Sequence, residues 1–149
     1  MKLLIFMTAN EQRMRRLLNE QKSHEIYLVL PESKKRSMKE LYPNIHLIGT
    51  KKEYMDYPTL VKEDRIPHIC YDEIWVPSSA EDNLYGYAEV YAIVCELKYR
   101  KLIWVSGSGK QVVRLHSVWQ GIRDRYGICI FKIVRAATNI ETKLKGYKW

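Results

Sequence analysis

The sequence predicts an α/β domain: an open parallel sheet of about five or six strands with helices on both faces and a basic C-terminal part. Three observations predict it. Short apolar or alternating runs recur along the chain, separated by segments of helical period, which is the signature of βαβ units. The chain has 149 residues, 46% of them hydrophobic, the size of one domain that can bury a core without staples. Leu3–Met7 is apolar at every position, as expected of a strand covered on both faces. Right-handed crossovers would place helices on either side of such a sheet, which makes the architecture Rossmann-like.

Leu3–Met7 is the first strand, and Thr8 to Asn10 reads as a turn and helix cap. The helix that follows spans about Glu11–Gln21. Met14, Leu17 and Leu18 form its apolar stripe, with Arg13, Arg15 and Arg16 off it. Glu25–Leu30 is the second strand, stopped by Pro31. Ser33 is placed to cap a short basic helix running to about Leu41, closed by Pro43. Asn44–Gly49 is a third strand, with Ile45 and Leu47 on one face and His46 and Ile48 on the other. Thr50 to Ile69 carries mixed charge, Pro58 and Pro67, and no sustained period, so it reads as a long loop with at most a helical turn.

Tyr71–Pro77 is the fourth strand, and Ser78 to Asn83 a polar, acidic loop. A helix is expected over Tyr87–Tyr99, with Val90, Tyr91, Val94 and Leu97 on one face. Lys101–Ser106 is the fifth strand, and Gly107-Ser108-Gly109-Lys110 the turn after it. Val112, Leu115, Trp119 and Ile122 follow a helical spacing up to about Tyr126. Ile128–Val134 is short and rich in β-branched residues, which favours a sixth strand. The single domain then covers 1–149, with 135–149 a short helix or a basic tail.

Charge divides the chain. The net +8 is concentrated at one end: residues 1–109 carry 16 Lys and Arg against 15 Asp and Glu, whereas residues 110–149 carry nine against two. That asymmetry is a partner signal. Trp119, Tyr126, Phe131, Tyr147 and Trp149 lie among the nine basic residues. Such a surface suits an anionic membrane face, a second copy or another subunit, or the completion of the core. The near-neutral first 109 residues disfavour nucleic acid. The cysteines Cys70, Cys95 and Cys129 form no CxxC pair. Cys95 and Cys129 sit in apolar runs and read as buried thiols, which fits a reducing, cytoplasmic setting. The opening apolar run is too short and too soon followed by charge for a secretion signal, and no segment has the roughly 20 apolar residues of a spanning helix.

In open α/β sheets ligands bind outside the carboxyl ends of the strands, where the strand order reverses. That rule selects Thr8 and Asn10 after the first strand, Ser78, Glu81 and Asp82 after the fourth, and Ser106, Gly107, Ser108, Gly109 and Lys110 after the fifth. Backbone N–H groups of the 107–110 turn could hold a phosphate, with Lys110 adding charge. A plain turn is the competing reading, because the triphosphate loop needs GxxxxGK followed by Ser or Thr and Gln111 follows here. Glu81 and Asp82 could orient a sugar hydroxyl or act as a base, or be solvated loop charges. The first loop lacks the GxGxxG fingerprint, which argues against nicotinamide or flavin cofactors. The scattered histidines suggest no metal site.

The segments Tyr71-Asp72-Glu73-Ile74-Trp75-Val76-Pro77, Asn83-Leu84-Tyr85-Gly86-Tyr87 and Lys101-Leu102-Ile103-Trp104-Val105 resemble the N-terminal domain of bacterial GT-B glycosyltransferases, over residues 1–110. The resemblance implies a Rossmann-like acceptor-side domain. That family pairs it with a second, donor-binding domain, for which this chain is too short, so the resemblance implies a half-enzyme that needs a partner, a remnant, or a domain put to another use. It carries over no catalytic residue.

Overall fold

The computed structural model describes residues 1–51, 53, 58–78, 87–113 and 133. Almost all lie in the first of two units into which the chain divides, Met1–Arg114 and Leu115–Trp149. The first unit is a mixed, mostly parallel six-stranded sheet with helices packed against it. The strands are β1 (Lys2–Phe6), β2 (Glu25–Pro31), β3 (His46–Thr50), β4 (Cys70–Pro77), β5 (Lys98–Ser106) and β6 (Gly109–Val113). The helices are α1 (Glu11–Glu20), α2 (Glu32–Leu41) and α3 (Ala88–Val94), and Pro58–Lys62 forms a π-helical turn. The strand order is β3-β2-β1-β4-β5-β6. β1 to β5 are mutually parallel, and β6 runs antiparallel to β5.

Register explains why β1 is apolar from Leu3 to Phe6. Leu3 pairs with Ile26, and Ile5 with both Leu28 and Trp75. These residues share one face and join Ile103 and Val105 of β5 in a single core cluster. Met14, Leu17 and Leu18 of α1 and Met38 of α2 complete that cluster, so both helices cover this face. Met14 and Leu18 are fully buried, each contributing about 1.5–3 kcal/mol of transfer free energy. Leu4, Phe6, Ile74, Val76, Leu102 and Trp104 alternate with these residues along the strands and point to the opposite face. Tyr87, at the start of α3, sets its ring edge-on against Trp104 at 5.0 Å. The helices therefore flank both faces. Chirality requires this, since β1-α1-β2 and β2-α2-β3 advance in one direction and β4-α3-β5 in the other.

Local chemistry fixes the ends of the elements. The Asn10 side chain accepts from the Arg13 N–H and caps α1, as its sequence position predicts. Ser33 does not cap α2. Pro31 stands at that position with no side-chain cap bond, and the Ser33 hydroxyl donates to Glu53 at 2.9 Å. A Cβ at Gly49 would meet the carboxylate end of the Glu32 side chain, which would have to turn aside.

Three expectations are corrected. The helix expected over Tyr87–Tyr99 ends at Val94, and β5 begins at Lys98. The reason is long-range: Lys98 to Lys101 pair with Cys70 to Glu73 of β4, with Lys101 opposite Glu73 and Arg100 at 3.5 Å from Asp72. The helix expected from Val112 gives way to β6, which pairs Val112 with Ile103 and Gln111 with Trp104. That antiparallel strand also makes the sheet mixed rather than wholly parallel. Cys95 is half-buried rather than buried, and Cys70 is exposed. The strand expected at Ile128–Val134, Cys129 and the 135–149 tail fall outside the described residues, except Ile133, which is helical and exposed.

Candidate functional site at the carboxyl ends of the strands

The strand order reverses beside β1. From β1 the chain moves outward through β2 to β3, then returns to place β4 on the other side of β1. The residues that follow β1, β4 and β5 (Thr8, Ser78 and Gly107) thus lie at one end of the sheet. Hydrogen bonds tie them together. The Thr8 hydroxyl donates to the Pro77 carbonyl, across the reversal. The Ser78 N–H donates to the Val105 carbonyl at 2.8 Å, and a guanidinium nitrogen of Arg13 reaches the same carbonyl at 3.3 Å. The start of α1 therefore sits over the ends of β4 and β5.

The residues selected from the sequence divide into two groups here. Thr8, Asn10, Ser78 and Ser106 build the edge. Thr8 bridges β1 to β4 and Asn10 caps α1. Ser78 is fully buried and its hydroxyl lies 3.4 Å from the donating Tyr87 hydroxyl. Ser106 is 5% exposed, 2.8 Å from the Ser108 hydroxyl and bonded to the Gly109 carbonyl. Gly107, Ser108, Gly109 and Lys110 are exposed. Glu81 and Asp82 lie outside the described residues.

The 107–110 turn does not lead into a helix, as the phosphate-loop reading supposed. It closes a hairpin in which Ser106 pairs with Gly109. Gly109 has φ of 139°, a conformation that L side chains rarely adopt, and this explains the glycine. The hairpin folds Lys110 back over the sheet. Lys110 pairs with Val105, so its side chain lies on the α1 face, with its ammonium 4.1 Å from the Trp75 ring centroid. Trp75 is held in place by its indole N–H, which donates to Glu73 at 2.8 Å.

Arg13 and Trp75 are the residues that sequence reasoning missed. Arg13 lies off the apolar stripe of α1 and so carries no signal of burial in the sequence. A residue in the first turn of a helix that follows a strand nonetheless faces the carboxyl ends of the sheet, and that signal was present. Among the described residues neither Arg13 nor Lys110 pairs with a carboxylate. Arg13 and Lys110 thus place two cations beside the end of β5, and the exposed Ser108 lies in the turn that follows it. No group of three or more His, Cys, Asp or Glu among the described residues could hold a metal ion, and no described helix is long and apolar enough to cross a membrane. Comparison with protein-family models, curated proteins and solved structures returns no match.

Proposed function

We propose that this chain is a Rossmann-like, glycosyltransferase-related domain that binds a sugar- or phosphate-bearing ligand at its strand carboxyl ends and acts with a partner. One observation carries the reading: the reversal of strand order beside β1, the position where open α/β sheets hold ligands. The charge there has the right sign, because Arg13 and Lys110 flank Val105. In this reading the two cations and Ser108 take the phosphate. Glu81 and Asp82, which follow β4 in the sequence, take sugar hydroxyls. Thr8, Asn10, Ser78 and Ser106 hold the edge in shape. The glycosyltransferase relation and the partner both rest on the sequence resemblance. The nine basic residues of 110–149 suit docking to that partner or to an anionic membrane, in the cytoplasm.

A thermal-shift screen with nucleotide sugars and lipid-linked phosphates tests the proposal. A ligand should raise the midpoint, and Arg13→Ala and Lys110→Ala should each reduce the rise. No rise with any ligand, or a rise that both variants leave intact, overturns it.

A second reading is a non-catalytic interaction module. It is favoured by β6, whose residues Gly109 to Val112 are all exposed, Val112 at 63%. An exposed edge strand is a ready template for pairing. Sedimentation analysis separates the two: a dimer that Val112→Lys dissociates, with no ligand response, supports the module.

A further inference from the structure

We propose that the outer edge of β3 is a docking groove for an extended acidic peptide, which adds to the sheet as a further strand. β3 ends the strand order, and among the described residues no strand pairs with its outer side. A groove of about 540 Å³ lies there. Its lining comes from both faces of the sheet. Lys35 and Lys39, one turn apart on α2, stand on the α2 face, and Tyr27, His46 and Arg65 line the rest. A cleft that wraps an edge strand from both faces has the shape a new strand requires, since alternate side chains of a strand point to opposite faces.

The backbone of β3 is oriented for this. The Gly49 carbonyl accepts from Arg65 at 2.9 Å, so it points away from β2. Successive residues of a strand turn their N–H and C=O groups to opposite sides. The N–H and C=O of Leu47 therefore also face outward, into the groove, with no partner among the described residues. At the near end the Ile45 N–H already bonds the Tyr42 carbonyl. At the far end Arg65, tied to Glu63 at 3.0 Å, closes the groove. The free edge is thus centred on Leu47.

Charge selects an acidic occupant. Lys35, Lys39, Arg65 and His46 are basic, and among the described residues no carboxylate lines the groove. Carboxylates do stand behind them: Glu32 is 3.4 Å from Lys35, and Glu25 is 3.9 Å from His46. These are exposed pairs worth about 0–1 kcal/mol, so a peptide carboxylate replaces them at little cost. Among the described residues the Lys39 ammonium donates to a carbonyl, that of Pro43, at 2.7 Å, and pairs with no carboxylate. Because the lysines occupy one face and the Tyr27–His46 stack, with ring centroids 4.6 Å apart, the other, the preferred peptide alternates acidic and apolar residues.

The test uses the full chain and fluorescence anisotropy with a labelled peptide of alternating glutamate and valine. Three results are expected. The peptide binds. Methylating its backbone nitrogens on alternate residues weakens binding by about tenfold or more, the loss of one or two hydrogen bonds. Lys35→Glu with Lys39→Glu weakens it by a similar factor and inverts the preference towards an alternating lysine and valine peptide. The methylated peptide leaves the protein untouched, so it decides the matter even if the double variant fails to fold. No binding, equal binding of the methylated peptide, or equal binding of the lysine peptide to the native chain overturns the proposal. Single-stranded DNA or anionic vesicles that bind β3 in place of the peptide do so as well.

Discussion

Replacing Thr8 by valine asks whether the strand-end polar residues build the edge or contact a ligand. The Thr8 hydroxyl donates to the Pro77 carbonyl, with the Phe6 carbonyl 3.3 Å away. Valine keeps the shape and the β-branch, so no cavity forms. What is lost is one hydrogen bond, about 0.5–1.5 kcal/mol net. The carbonyl of Pro77, a buried residue, then lacks its donor, which raises the cost towards 1–3 kcal/mol. Urea unfolding should show a lower midpoint at unchanged slope, and Thr8→Ser, which keeps the hydroxyl, should recover about half of the loss or more. Any nucleotide sugar bound by the native chain should still bind the folded Thr8→Val protein. Unaltered stability, or lost binding with unaltered stability, refutes the edge-building role and makes Thr8 a ligand contact.

Gly109→Ala should destabilise the chain by about 1 kcal/mol through backbone strain. A Cβ there meets nothing within 4 Å, so a much larger loss in calorimetry would contradict that cause. On the acid side, the Lys2 N–H, at 2.8 Å, holds the Asp72 carboxyl below its ordinary value of 3.8, with Arg100 adding to it. Arg15 holds Glu11 down in the same way, and Lys51 holds Glu63. The native state then binds fewer protons than the unfolded chain, so this stability is present above the ordinary carboxylate range and is lost as pH falls through it. Asp72→Asn should flatten that acid limb in pH-dependent unfolding. On the alkaline side, burial pushes the Tyr71 hydroxyl well above its ordinary 10.0, and the Glu25 carboxylate raises Tyr27. The native state keeps protons that the unfolded chain releases, so stability should fall as pH rises past 10.0, and absorbance should show Tyr71 ionising only as the chain unfolds.

The first half of the sheet was legible because burial wrote its period into the sequence. Leu3–Phe6 are apolar because both faces are covered. Met14, Leu17 and Leu18 recur at helical spacing because one stripe of α1 is covered. β6 was not legible, because backbone pairing to β5 holds it and four of its five residues are exposed; Val112 matched a helical spacing by coincidence. The end of α3 was hidden for a related reason. Lys98 and Tyr99 extend a helical pattern, but the strand partner that claims them lies nearly thirty residues earlier, at Cys70 and Tyr71. At the site, the reversal rule picks out strand ends that the fold places side by side, while side-chain roles required three dimensions. No local pattern announces that Thr8 reaches Pro77 or that Lys110 folds back over Trp75.

The most direct measurement is an amide chemical-shift map of the full chain titrated with uridine diphosphate glucose and, separately, with inorganic phosphate. The account predicts saturable shifts clustered at Thr8 to Arg13 and Ser106 to Lys110, with the Trp75 indole signal moving as Lys110 turns to the phosphate. Shifts confined to another part of the sheet, or none at millimolar ligand, would contradict it.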